Sequence, residues 1–284
     1  MGSVVQSFTR SMIHVRYPGA MTADSIESAE QLADAWRLLV LDREPDADVR
    51  DLPGVAVRWA DGLFPFWNCV TLTEADVDAD LLGHRLAAAA DVMRAKRGSG
   101  FLWLFEDLLA DDARAALDAA ADRAGFEYSF PGTGMAGDLL PLAEPEHPDL
   151  TFVRVTTDEH LDAYADLNAR AYGFTREQGR AAFAGSALWK NDVHAYLGLL
   201  DGVPVTCAGS VAVAGRLFVV LVATDPDRER RGFGAAVTRK VLHEGGRATG
   251  LTRATLHATA AGAPVYRRIG FRPNSAIRFY RLKD

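Results

Sequence analysis

No apolar run in this 284-residue chain approaches the ~20 residues that a membrane-crossing helix needs. No signal-like apolar core follows Arg10 and Arg16, so a cytoplasmic location is expected. Cysteine is scarce: Cys69 and Cys207 stand far apart in apolar surroundings. That excludes a disulfide framework and suits two buried thiols in a reducing compartment. No metal-ligand set is expected. A Walker loop is also missing, because no Lys followed by Ser or Thr comes after the Gly232-Phe233-Gly234 pair. A dinucleotide site would need a third Gly where Val237 stands and an acidic residue near Ala258 and Thr259.

What is present is a globular composition, 49% hydrophobic and 24% charged. The net charge of −7 is unevenly spread. Residues 1–150 hold 26 acidic and 12 basic side chains, and residues 151–284 hold 12 and 19. The acidic half argues against a nucleic-acid partner. The basic half suits a polyanionic ligand.

Thr22 to Ser25 offers helix caps, and apolar spacing from Ile26 to Leu39 then predicts a helix. The Asp- and Pro-rich residues 42–54 read as a loop, and Val55–Trp59, Asn68–Leu72 and Phe101–Phe105 as strands. Asp76 or Asp78 caps an Ala-rich helix ending near Gly98, and Gly125 stops a second helix from Asp111. Phe126–Phe130 and Met135–Leu140 read as two strands around a Pro-Gly turn, and 141–150, with three prolines, as a linker. Thr151–Val155 is a strand, Asp158 caps a helix, and Thr175 starts another to about Leu188. Asp201-Gly202 is a type I′ hairpin signal. The remaining expectations are strands at Thr252–Ala258 and Ile277–Leu282, with a short helix at Gly262–Ile269 between them. From Val55 and again from Val203 the order strand, strand, helix, strand, helix, strand, strand recurs. The reading is therefore a tandem: a partial unit over 1–148, then a complete one over 149–284.

One stretch organises the second unit. Leu217–Val222 is an unbroken apolar run, hence a buried strand. A polar turn, Asp225–Arg231, leads into Gly232-Phe233-Gly234 and a helical segment. Free N–H groups and the helix dipole meet there, so it reads as an anion site. Val222-Ala223-Thr224-Asp225-Pro226 with Arg231-Gly232-Phe233-Gly234-Ala235 resembles the acetyl-CoA loop of the GNAT superfamily of N-acetyltransferases. Ala263–Phe271, with Tyr266 and Gly270-Phe271, resembles that family's last helix and the strand it enters. Glu229 stands where the family has Arg or Gln. The resemblance covers about residues 151–284 and implies a mixed α/β GNAT-like acyl-CoA N-acyltransferase fold, its first copy degenerate.

The resemblance further implies N-acetyl transfer from acetyl-CoA to a primary amine by direct attack in a ternary complex. Arg230, Arg231, Gly232, Phe233, Gly234 and Ala235 would hold the pyrophosphate. Main-chain groups of Val222, Ala223 and Thr224 would meet the pantetheine and the thioester. Tyr266 would protonate the leaving thiolate; a plain core Tyr is the competing reading. His257 has a suitable intrinsic pKa for a base, although a strand His is more often structural. Glu177 and His194 are weaker candidates, and water could carry the proton. Tyr172, Phe174, Phe183 and Trp189 would line the acceptor pocket. In the first unit, Thr73–Asp78 has three carboxylates and no Gly, which would repel pyrophosphate. The expected partner is a small-molecule or peptide amine, with no nucleic acid and no membrane; a homodimer stays open. Two rivals stay open as well: an acyl-CoA sensor without turnover, and a peptide N-acetyltransferase.

Overall fold

The computed structural model describes residues 23–283. The caps sought at Thr22–Ser25 lie outside the side chains it describes. Helix α1 (Ala23–Arg43) carries the predicted apolar spacing. Strands β1 (Asp48–Leu52) and β2 (Val55–Trp59) form a hairpin. Its first arm corrects the loop expected over 42–54. An Asp-rich strand at the sheet edge buries little, so it leaves no apolar alternation to read. Then follow β3 (Asn68–Leu72), α2 (Ala79–Arg94), β4 (Phe101–Phe105), α3 (Asp111–Ala124) and β5 (Phe126–Asp138).

The first half thus ends in one long strand, not two. Pro131 and Gly132 pair with Arg278 and Ile277 of β11 (Arg272–Leu282) instead of turning. The glycine leaves room for a ring: a Cβ there would lie 2.8 Å from Phe279 Cε2.

The second half runs β6 (Thr151–Arg154), α4 (Asp158–Tyr172), α5 (Arg176–Phe183), α6 (Ala187–Asn191), β7 (Tyr196–Leu200), β8 (Val203–Val213), β9 (Arg216–Thr224), α7 (Phe233–Thr249), β10 (Arg253–Ala258), α8 (Ala263–Ile269) and β11. Thr157, one residue before the expected Asp158, caps α4. The helix expected from Thr175 to Leu188 breaks at Gly185, whose φ is 70°, and Ser186 caps α6. Asp201 and Gly202 both have positive φ, as a type I′ turn requires.

The eleven strands of the described residues join one sheet in the order β1-β2-β3-β4-β11-β5-β10-β9-β8-β7-β6. The two halves repeat each other outward from its middle. Each lends its last strand to the other: β11 lies between β4 and β5, and β5 between β10 and β11. Helix α1 crosses the shared middle, and Trp36 sets its ring against Trp67, Trp103 and Phe218 at 5.5, 5.3 and 5.9 Å. Neither half buries its own sheet without the other, so thermal unfolding is expected as a single calorimetric transition. Two resolved transitions would contradict the exchange.

Candidate active site

Among the strand pairs of the described residues only β3·β4 and β9·β10 are parallel. Crevices at the carboxyl ends of parallel strands are the places where ligands enter open α/β sheets. Strands β9 and β10 pair from Leu217 with Ala254 to Val219 with Leu256, and then part. β9 continues to Thr224 and β10 to Ala258, which leaves a fork between them.

The fork has a cause in β9. The β8·β9 register shifts between Cys207 and Gly209, so Leu221 and Val222 together face Ala208. Leu221 takes φ 49° to make this bulge, a left-handed conformation costly for a branched side chain. Two phenols from α4 hold it there. Tyr164 donates its hydroxyl to Leu221 O at 2.8 Å and Tyr172 to Val222 O at 2.9 Å. Thr206 occupies Ala223 O at 2.8 Å. The carbonyls of Leu221, Val222 and Ala223 are thus all engaged within the chain, and Ala223 N–H is turned to Cys207 on β8, so the main-chain role expected of Ala223 is corrected to a place in the sheet. Tyr164→Phe would leave a buried carbonyl unpaired and is expected to lower unfolding free energy by about 1–3 kcal/mol. Urea denaturation measures this, and an unchanged midpoint would show that the bulge needs no such clamp.

Beyond the fork the chain forms an anion cradle. Asp225 is buried, takes a bidentate ion pair from Arg170 at 2.7 and 3.0 Å, and accepts Asp227 N–H at 3.1 Å. From Glu229 to Ala235 no main-chain N–H finds an acceptor among the described residues, and Ala236 is the first to bond, to Gly232 O. Arg230 and Gly232 have φ 61° and 83°, and no side chain caps α7. Alternating left-handed residues turn successive N–H groups to one side, which makes a nest for an anion at the positive end of a helix. This arrangement fits a diphosphate. Gly234 is close to Thr224: a Cβ there would lie 3.1 Å from its hydroxyl. Of the nearby cations, Arg231 is engaged by Asp149 at 3.1 Å and lies over the Phe233 ring. Arg230 and Arg228 have no ion pair among the described residues. The linker adds His147, whose Nε2–H donates to Arg231 O at 3.1 Å; nothing in the sequence pattern pointed to that residue.

The corresponding place in the first half is closed. Beyond the parallel pairing of β3 and β4, Val77 bridges to Leu109, fully buried, and its N–H and carbonyl bond to Leu108 O and Ala110 N–H. The start of α2 is filled by carboxylates of its own chain: Asp78 accepts Leu81 N–H at 2.8 Å and Asp112 accepts Ala79 N–H at 3.1 Å.

Two phenols reach the open fork from opposite faces of the sheet. Tyr172 comes from α4. Tyr266 comes from α8, packed with Leu256 and Leu242. They are near enough that ionisation of one opposes ionisation of the other, adding to the effect of burial, which itself raises the Tyr172 hydroxyl well above the usual range. Burial does the same to Tyr266. The Tyr266 hydroxyl has no hydrogen-bond partner among the described residues, which argues against the locally satisfied core Tyr.

His257 is not brought to Tyr266. Side chains alternate along β10, so Ala254, Leu256 and Ala258 face α7 and α8 while Thr255 and His257 face α1. His257 Nε2 donates to Ser28 O at 3.1 Å, and its ring lies among Trp103, Phe105 and Phe218. Burial drops its pKa to about 4, against the opposing Ser28 bond, so the role of proton-collecting base is corrected to that of a neutral imidazole. His194 is likewise held low by burial and by Arg154, and sits between β6 and β8. Glu177 lies in the exposed first turn of α5. Phe183 and Trp189, expected in the acceptor pocket, are fully buried against Tyr164 and belong to the core. Tyr172 and Phe174 stay half-buried beside the fork.

This layout recurs in solved structures. A GCN5-related N-acetyltransferase from Kribbella flavida superposes with TM-score 0.68 at 21% identity, over 93% of this chain and 97% of that one. The chain has the GNAT fold. Similar too are a GCN5-related N-acetyltransferase from Sphaerobacter thermophilus (TM-score 0.56, 16% identity, 90% and 92% covered) and a tandem GNAT protein from the clavulanic acid biosynthesis pathway (0.54, 14%, 93% and 96%). No family model and no curated protein matches the sequence. In this GNAT fold the second copy opens with β6, which has no counterpart in the first among the described residues.

Proposed function

We propose that the protein transfers an acetyl group from acetyl-CoA to a primary amine. The observation that carries this is the open fork with its unpaired N–H nest at one end and the unpartnered Tyr266 hydroxyl beside it. Arg230 to Ala235 would hold the diphosphate, and the main-chain N–H groups of Val222 and Thr224 the pantetheine and the thioester carbonyl. The amine nitrogen attacks the carbonyl carbon, the C–S bond breaks, and the thiolate takes a proton from Tyr266. The new amide nitrogen gives up a proton to water and water returns one to Tyr266, so the products are an amide and a free thiol. Burial keeps the Tyr266 phenol protonated over the working pH range, so the donor is always loaded.

The nest requires no side chain at position 229, so Glu229 leaves it intact. The test is thiol release from acetyl-CoA in the presence of an amine panel. Binding of coenzyme A without thiol release from any amine would favour a sensor.

A further inference from the structure

The acceptor side of the fork has a composition of its own. From Tyr172 a chain of half-buried rings runs outward: Tyr172 to Phe66 at 5.8 Å, Phe66 to Phe174 at 5.4 Å and to Phe101 at 5.6 Å, and Phe101 to Phe130 at 5.4 Å. Phe66, Phe101 and Phe130 come from the first half, Tyr172 and Phe174 from the second. The first half therefore supplies much of the wall against which an acceptor would rest.

Charge is missing from that wall. Among the described residues no carboxylate hydrogen-bonds Tyr172, Tyr266 or His257: Tyr172 is given to Val222 O and His257 to Ser28 O. The acids closest in the chain are committed elsewhere: Asp225 to Arg170, Asp166 to Arg176 and Arg180, Asp61 to Arg97 and to the N–H of Gly98. Two polar atoms do remain in the ring cluster. Trp103 Nε1 and His257 Nδ1 are buried with no partner, in rings 5.7 Å apart. One is a donor, and the other, with its Nε2–H given to Ser28, is an acceptor.

Resting on the acetyl-transfer reading, we propose that the acceptor is a weakly basic amine on an aromatic or similarly flat apolar body, bound as the neutral species between the two halves. An alkylammonium ion would have to shed both its water and its proton in a wall that offers neither a counter-charge nor a base. An arylamine arrives with its nitrogen lone pair free. Its ring stacks edge-to-face on Phe66 and Phe101, as such rings prefer. A cation held over these rings by their π faces is the competing chemistry.

The test compares 4-methylaniline with benzylamine and a short peptide amine, at pH 7 and at pH 9, with coenzyme A affinity measured separately. The arylamine is expected to show at least 100-fold higher kcat/KM at pH 7, with little change at pH 9, whereas benzylamine gains with pH. Phe66→Ala should raise the arylamine KM at least tenfold and leave coenzyme A affinity unchanged. Phe101→Glu should move preference towards benzylamine by at least tenfold. Benzylamine or peptide preferred by the unaltered protein would overturn the proposal while leaving acetyl transfer standing. So would coenzyme A binding with no turnover of any arylamine. Absence of coenzyme A binding would instead overturn the acetyl-transfer reading itself.

Discussion

Gly234→Asp is expected to abolish measurable coenzyme A binding without lowering the melting temperature. Position 234 is the second residue of α7, where an acidic side chain normally stabilises a helix by about 0.3–1 kcal/mol through the dipole. Replacing Gly in a helix relieves backbone entropy as well. Against this, the new Cβ presses on the Thr224 hydroxyl, and the carboxylate caps N–H groups that a diphosphate would use. A loss of at least 100-fold, about 2.7 kcal/mol, is expected by titration calorimetry. Gly234→Ala adds the same Cβ without charge and should cost roughly tenfold, which separates crowding from electrostatics. Equal affinity in all three proteins would remove the nest as the cofactor site.

Tyr266→Phe should lower kcat by about 100-fold while coenzyme A affinity holds within a factor of two, since general acids contribute about 10²–10⁴. The ring keeps its seat against Phe271 and only the hydroxyl goes. Because burial raises the phenol above its usual range, its ionisation should not set the alkaline limb of the rate profile below pH 10. An unchanged kcat, with chemistry shown to be rate-limiting, would leave water as the proton source.

Much of this was readable from residues 217–236 alone. An apolar strand, a polar turn and a Gly pair place an anion site in one dimension, and the N–H groups lie where that pattern puts them. The bulge was not readable. Leu221 sits in an apolar run with no Gly or Asn to announce a positive φ, and its conformation is imposed by hydroxyls from residues 164 and 172. The face of His257 was likewise hidden, because alternation tells which residues share a side of β10 but not which side meets α1. Pro131-Gly132 carried a strong turn signal that tertiary pairing overrode. The aromatic wall had the same difficulty: Phe66 and Phe101 read as ordinary core until the second half supplied Tyr172 and Phe174.

The placing of β11 has a bearing on how the molecule is made. It follows every other described strand in the chain, and it belongs in the middle of the sheet. Until it arrives, β4 and β5 each hold an unsatisfied edge, and the first half waits as a sticky, half-closed intermediate. Ending translation at Phe271 would thus take a strand out of the centre of the sheet rather than off its edge.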